Sequence, residues 1–486
     1  MKRIKLQSYL PILCCFIFIM ASCGGNGEKP GPSTKQSNDC ILKSFSFTSV
    51  NSGITSNSIG YISQNYAPDS KQVRSLVLIT VPEACDLTSL KPTFNIHEKS
   101  TLFINDIEQI SGQSSMNFSN VAIIKVVAES GATAQYDIIV KKGDVAFDSQ
   151  VYSFMMSFSI PGVSISVSNG NSIIYNCGYG FADVENRVKV TPNHLFRLAS
   201  VSKQFTTTCI MKLYEEGRVN LDQNVFGEGG ILNDEYPGIT GTKATVTLRN
   251  FLQHNSGWSS DHPLDPQFDE PIRSRDLDGQ IKYMLNECSL VTVPGSTYDY
   301  YNLGFGVVGK VIEKVTGKGF EEYLKEVMAT AGITDVHVGK DRAGRRTNEV
   351  VYYSQGNTNG YGNNMPAIAA AGGIIASTEE MMKLIVKLDG KGDDDILKKE
   401  TITEMYTPSP SRSSYALGWR LGHRLYPGAH YHSGNIAGTA SIWCGDTNSG
   451  LSAVILMNSR NYSVTNSDGN FDDNYYVLLG KIVSHF

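Results

Sequence analysis

A chain of 486 residues, 41% hydrophobic and 18% charged, has apolar material for a sizeable core, and its length favours two or more domains. Its formal net charge is −5, falling to −8 without Lys2, Arg3 and Lys5 of residues 1–22, so the basic face that nucleic-acid binding requires is not expected. Nine cysteines without C-x-x-C spacing exclude the common zinc frameworks, so no metal site is expected.

Residues 1–22 read as a secretion signal. Lys2, Arg3 and Lys5 form a basic start, and Leu10 to Met20 is apolar apart from one proline, too short a run for a stable membrane span. Met20-Ala21-Ser22-Cys23 puts small residues before a cysteine and resembles a bacterial lipoprotein lipobox. That resemblance implies lipidation of Cys23 and an exported chain anchored to the cell envelope, most simply at the outer membrane. Residues 23–39, rich in Gly, Pro, Ser, Lys and Asn, read as a flexible tether.

Residues 40–145 have the texture of an all-β unit. Strand-like runs recur at Ile41–Thr48, Val73–Val81, Thr101–Ile104 and Val121–Ala128, and Ala122–Val127 with Ala134–Val140 form a hairpin around Glu129-Ser130-Gly131-Ala132. The turn and the following Tyr136-Asp137-Ile138-Ile139-Val140 resemble small immunoglobulin-like sandwiches that precede catalytic domains in surface lipoproteins. The implied role is a spacer, or else a carbohydrate- or protein-contact module. Cys40 and Cys85 are candidates to pair in an oxidising compartment, which sequence leaves open.

From about Val151 the pattern becomes mixed α/β, and residues 150–486 are assigned to a second domain. Ile160–Val167, then Ser172–Asn176 and Gly178–Asp183, read as two antiparallel strands with a turn at Asn169-Gly170-Asn171. Phe196 to Lys203 then runs from strand-like residues into a helix whose Phe205, Ile210, Leu213 and Tyr214 share one face. Ser200 and Lys203, three apart at a helix start, also share a face. A desolvated lysine can take a serine's proton, and the unpaired N–H groups of a helix start can stabilise an oxyanion.

A further helix is predicted from Thr247 to Leu252, ending at His254-Asn255-Ser256-Gly257, and residues 258–285, with many Pro, Asp and Arg, read as a surface excursion. Val293–Asn302 leads into a helix over Leu303–Val315. Tyr300 and Asn302 there offer a phenol and a carboxamide, the phenol's pKa being expected to fall beside an ammonium. Ala371–Thr378 leads into an amphipathic helix. Tyr415–Trp419 and Ala453–Met457 are strand-like, with His430–Gly438 between them, and a helix over Asp473–His485 closes the chain.

The region from about Ile160 to Phe486 resembles the serine β-lactamase/penicillin-binding-protein superfamily, closest to its class C-like branch of carboxypeptidases, D-aminopeptidases and esterases. Ser200-Val201-Ser202-Lys203 looks like its Ser-x-x-Lys motif. Tyr300-Tyr301-Asn302 resembles its Tyr-x-Asn, and His432-Ser433-Gly434 stands in the place of Lys-Thr-Gly on the edge strand. Leu252–Gly257 and Ala371-Gly372-Gly373 match non-catalytic signatures. The implied fold is a multidomain chain: an N-terminal all-β sandwich, then an α/β (α+β) domain with an antiparallel sheet flanked by helices and an all-α lobe.

The resemblance implies that Ser200 is the acylated nucleophile, Lys203 a proton acceptor and Tyr300 the general acid/base. Asn302 would orient Lys203 and bind the substrate amide. The oxyanion would sit between the N–H groups of Ser200 and Asn435, with Ser433 and Gly434 in the substrate-binding strand. The implied activity is acyl transfer on an ester, amide or peptide, with no metal and no organic cofactor and with a small-molecule or peptidoglycan-like substrate. Slow turnover would instead make a penicillin-binding-type receptor, and a true β-lactamase or D-Ala-D-Ala carboxypeptidase is a further alternative. His432 replaces a lysine that would bind a substrate carboxylate, which leans the expectation toward esterase or amidase chemistry. Gly-x-Ser-x-Gly, which an α/β-hydrolase needs, is absent.

Overall fold

A computed structural model describes residues 36–63, 75–261, 264–356, 359–423, 426–446, 449–467 and 469–486. The expected signal, Cys23 and most of the tether lie outside the described residues. Among the described residues no helix is long and apolar enough to cross a membrane.

Among the described residues, nine strands build the N-terminal region: β1 (Ser44–Phe47), β2 (Ser58–Ile59), β3 (Tyr61–Ser63), β4 (Ser75–Val81), β5 (Pro92–Asn95), β6 (Thr101–Ile104), β7 (Ile107–Glu108), β8 (Ala122–Val127) and β9 (Thr133–Lys142). They form two sheets, ordered β2-β1-β5 and β3-β4-β9-β8-β6-β7. The expected β8–β9 hairpin is present, with Val127 opposite Thr133 and Ala122 opposite Ile138. One core, including Phe45, Phe47, Val77, Ile79, Phe118 and Ile138, joins both sheets. Cys40 and Cys85 are free thiols.

Strand β4 is apolar on both faces because both are covered. Val77, Ile79 and Val81 enter the N-terminal core, while Leu76 and Leu78 point the other way, into a core shared with the second domain. The first helix there, α1 (Val145–Phe158), is capped by Asp144, which accepts the N–H groups of Ala146 and Phe147. It begins before residue 150 and packs with the second domain.

The second domain continues with β10 (Gly162–Asn169), β11 (Ser172–Asp183), β12 (Val188–Lys189), β13 (Phe196–Arg197), α2 (Ser202–Glu215), α3 (Leu248–Leu252), α4 (Leu277–Glu287), α5 (Asn302–Thr316) and α6 (Phe320–Ala329). Then come β14 (His337–Val338), β15 (Ile374–Ala376), α7 (Thr378–Val386), α8 (Lys399–Met405), β16 (Arg420–His423), β17 (Tyr426–Ile436), β18 (Thr439–Asp446), β19 (Leu451–Met457) and α9 (Phe471–His485). The central seven-stranded antiparallel sheet runs β12-β11-β10-β19-β18-β17-β16. Helices α1 and α9 share a core with one face, while the helical lobe, α2 to α8, shares the other core with Trp443, Val454 and Leu456.

Several expectations need correction. Tyr415–Trp419 is not a strand: Gly418 has φ +76° and Tyr415 bridges back to Arg420, so the chain turns there and the strand starts at Arg420. His432-Ser433-Gly434 lies on β17, whose outer neighbour β16 takes the sheet edge. Yet β16 pairs with β17 only as far as Tyr431, leaving residues from His432 onward uncovered by it. Residues 258–285 are not wholly a surface excursion, because Trp258, Asp265, Gln267 and Ile281 are buried.

Candidate active site

Ser200 sits in a 3₁₀ turn, Ala199–Val201, directly before α2. The preceding Ala199 has φ +47°, a left-handed conformation that an alanine adopts only under constraint. The constraint comes from both sides. The Leu198 N–H donates to Ile374 O, and the Leu198 carbonyl accepts from Ser441 Oγ at 2.5 Å. Strand β17 also passes so close that a Cβ on Gly434 would lie 2.3 Å from Leu198 O. Glycine in His-Ser-Gly is therefore a packing requirement of the serine turn.

Lys203 is the second residue of α2, three residues after Ser200, and completely buried. Its Nζ donates to Ser200 Oγ at 3.2 Å, Asn302 Oδ1 at 2.8 Å and the Ala371 carbonyl at 2.8 Å. Those acceptors are all neutral. Burial pushes the Lys203 pKa well below 10.5, against the attraction of Asp265 and with further lowering from Arg420. Tyr300 covers the same ammonium, its ring centroid 4.9 Å from Nζ.

The expected lowering of the Tyr300 pKa is reversed. Burial raises it, outweighing the hydrogen-bonding influence of Ser200 and the charge of Arg420. The hydroxyl has no well-formed hydrogen bond despite being buried. The resting pair is thus an amine that readily loses its proton beside a phenol that keeps its own.

Asn302 begins α5, and its backbone N–H donates to Asp265 Oδ2 at 2.5 Å, with Leu303 N–H at 3.3 Å from the same oxygen. Asp265, 2% exposed, caps this helix and fixes the amide that holds Lys203. Sequence reading placed it in a surface stretch. Its signal was slight: locally it accepts only the Gln267 N–H at 3.1 Å, and the helix N–H it holds is 37 residues away.

His432 is 1% exposed. Its Nδ1 lies 2.7 Å from Ser433 O and its Nε2 3.3 Å from the Tyr415 hydroxyl. Burial, Arg420 and Lys203 all push its pKa well below 6.5, so it is a neutral strut and not a partial cation. His254, also buried, accepts the Tyr301 N–H at Nδ1 (3.2 Å), and its ring is tilted 41° against that of Tyr300 with centroids 4.2 Å apart. Ser433 Oγ accepts from Tyr476 at 3.0 Å, and Asn435 Oδ1 accepts from Arg460.

Ser200, Tyr300, Asn302, His432, Ser433 and Asn435 all border one cleft of about 360 Å³, and Gly434 lies beneath it. The cleft has a cation that sequence reading missed: Arg420, on β16 opposite Tyr431. No ion pair to it occurs among the described residues, and its Nε is buried without a partner. Only the β16–β17 pairing brings it near, and the local sequence carries no mark of that. Among the described residues no cluster fit to hold a metal occurs.

The family model described as Beta-lactamase matches residues 147–474, and one described as SGBP, N-terminal, matches residues 54–140. Protein flp of Staphylococcus aureus is 30% identical over 172 residues, covering 34% of this chain and 32% of its own. The match thus spans about a third of that relative's length. A putative D-alanyl-D-alanine carboxypeptidase of Escherichia coli is 24% identical over 314 residues, covering 54% of this chain and 68% of its own. Among solved structures, a class C beta-lactamase superposes with a TM-score of 0.57 at 19% identity, covering 70% of this chain and 94% of that one. An octameric penicillin-binding protein homologue from Pyrococcus abyssi gives 0.56 at 23%, covering 69% and 77%.

Proposed function

Since the chain belongs to the beta-lactamase family of the serine β-lactamase/penicillin-binding-protein superfamily, we propose that it is a serine hydrolase that works through an acyl-enzyme on Ser200. The observation that carries this reading is Lys203: a fully buried amine, 3.2 Å from Ser200 Oγ and bonded only to neutral oxygens. Ser200 Oγ attacks the substrate carbonyl and passes its proton to neutral Lys203. Tyr300 donates its phenolic proton to the leaving group and is reprotonated from Lys203. The N–H groups of Ser200 and Asn435 hold the oxyanion, and Asn302 orients Lys203 and the substrate amide. Water then cleaves the ester, losing a proton into the Tyr300–Lys203 relay, whose free base is neutral Lys203, and that relay returns the proton to Ser200 Oγ.

Arg420 changes the substrate assignment. The lysine missing from His-Ser-Gly is not replaced by His432, which is neutral, but a guanidinium stands in the same cleft without a carboxylate partner among the described residues. It fits a carboxylate on the leaving group, as in a peptide or amide ending in a free amino acid. Anchoring through lipidated Cys23 in the cell envelope belongs to the same reading and would bring such substrates within reach.

The test uses the purified chain with a p-nitrophenyl acyl ester, a D-Ala-D-Ala peptide and a chromogenic cephalosporin, each beside Ser200→Ala. The expected result is hydrolysis that depends on Ser200 and a mass increase equal to the acyl group, with the peptide favoured over its C-terminal amide. No acylation and no Ser200-dependent hydrolysis of any of the three would overturn the reading.

A further inference from the structure

Beyond Asn435 a second hollow of about 430 Å³ opens, sharing Phe268, Asn435 and Ile436 with the nucleophile's cleft. Two arginines border it, and they differ. Arg273 is half exposed and ion-paired with Glu270. Arg460 has no ion pair among the described residues. Its guanidinium donates to Asn435 Oδ1 and lies 5.3 Å from the Tyr462 ring centroid, while its Nε is buried without a partner. Asp472, whose charge it feels, accepts the Tyr462 hydroxyl at 2.9 Å instead. On the same wall Asn363 Nδ2 is buried and also unpartnered. A half-buried guanidinium keeps its charge, and with the Asn363 N–H₂ on the same lining the hollow offers planar donors and no carboxylate among the described residues.

Position along the sheet adds the second argument. Arg420 stands opposite Tyr431 on β17, whereas Arg460 binds Asn435, four residues further along the same strand. At about 3.4 Å per residue these two positions lie about 14 Å apart along β17, with one arginine in each hollow. We propose that the Arg460 hollow is a carboxylate subsite on the acyl side of the scissile bond, so that the substrate is a peptide-like chain with an acidic group on each side of the bond that is cut. This rests on the reading of Arg420 as the leaving-group end.

The experiment compares N-acetyl-glutamyl and N-acetyl-glutaminyl p-nitrophenyl esters of both enantiomers, which differ only in carboxylate against carboxamide. The leaving group carries no carboxylate, so Arg420 does not influence the ratio. Wild type should show kcat/KM roughly ten- to hundredfold higher for a glutamyl ester than for its glutaminyl partner, mostly through KM. Arg460→Met should bring the ratio close to one, and Arg460→Lys should restore part of it. Equal rates in wild type, which needs no variant to fold, or a preference that survives Arg460→Met, would overturn the proposal. Calorimetric binding of N-acetyl-glutamyl-alanine and N-acetyl-glutaminyl-alanine to Ser200→Ala separates this from the catalytic reading. Tighter glutamyl binding that is lost in Ser200→Ala/Arg460→Met supports the subsite even if turnover is absent, and equal binding rejects it even if Ser200 is active.

Discussion

Two lysines, one half-buried at the contact between the domains and one buried in the cleft, are treated in opposite ways. Lys141, 19% exposed, meets Asp148 at 2.5 Å. Asp148, fully buried, also accepts Thr80 Oγ1 at 2.7 Å, the Tyr179 hydroxyl at 2.6 Å and the Tyr175 hydroxyl at 3.3 Å. Its donors come from β4 and β9 on one side and from β11 on the other, so one carboxylate ties the domains together. Lys203 is buried more deeply and meets only neutral oxygens, and Tyr300 Oη, His254 Nε2 and Arg420 Nε near it are unpartnered. Satisfied burial at the contact fixes geometry; unsatisfied burial in the cleft keeps an amine and a cation available for chemistry.

That contrast predicts opposite responses to removal. Lys203→Met should lower turnover by on the order of a thousandfold or more, since it removes the proton acceptor of the acylation step. Its urea-unfolding midpoint at neutral pH should not fall, because an amine without an acidic partner is replaced by an apolar chain of similar length. Asp148→Ala should do the reverse. Stranding Lys141 and three buried hydroxyls should cost about 3–5 kcal/mol of stability by urea unfolding. The fraction that remains folded should keep its kcat/KM within about twofold. A large stability loss in Lys203→Met, or a lost rate in folded Asp148→Ala, would erase the distinction.

Much of both regions was legible, and what was missed has a common cause. Ser200, Lys203, Tyr300 and Asn302 were readable because each lies within a few residues of a helix start whose pattern is local. The β8–β9 hairpin was readable because turn and alternation occur together in 20 residues. Asp148, Asp265 and Arg420 were not, since their roles depend on partners far away: Thr80 is 68 residues from Asp148, and the Asn302 N–H is 37 from Asp265. The sign of the Tyr300 shift was missed for a related reason. Sequence shows a neighbouring lysine but not the burial that lowers the lysine and raises the phenol together.

Tyr300→Phe sharpens the comparison within the cleft. The hydroxyl carries no structural hydrogen bond, so its removal should leave the unfolding midpoint within about 0.5 kcal/mol. Turnover should fall by about a hundredfold or more, as expected for loss of a general acid/base. Tyr179→Phe is the counterpart at the contact, where the hydroxyl donates to Asp148. There the change should appear in stability, at about 1.5–3 kcal/mol for a bond to a charged group, and not in rate. Activity equal to wild type in Tyr300→Phe would remove that phenol from the proton path.

The smallest expected effect tests the charge state of Lys203 directly. Its folded pKa lies below 10.5, so between the two values the unfolded chain binds a proton that the folded chain does not. Stability therefore rises with pH through that window, by at most about 1.4 kcal/mol per unit for one proton, and levels off above 10.5. Lys203→Met lacks this contribution. Urea-unfolding curves of wild type and Lys203→Met, taken from pH 8 to 10, should thus converge as pH rises, the wild type gaining on the variant. The same deprotonation should bring a rise in kcat/KM with pH, centred below 10.5, because only the neutral amine can accept the Ser200 proton. Parallel stability curves would mean that Lys203 is charged in the folded chain, and proton acceptance from Ser200 would then need another group.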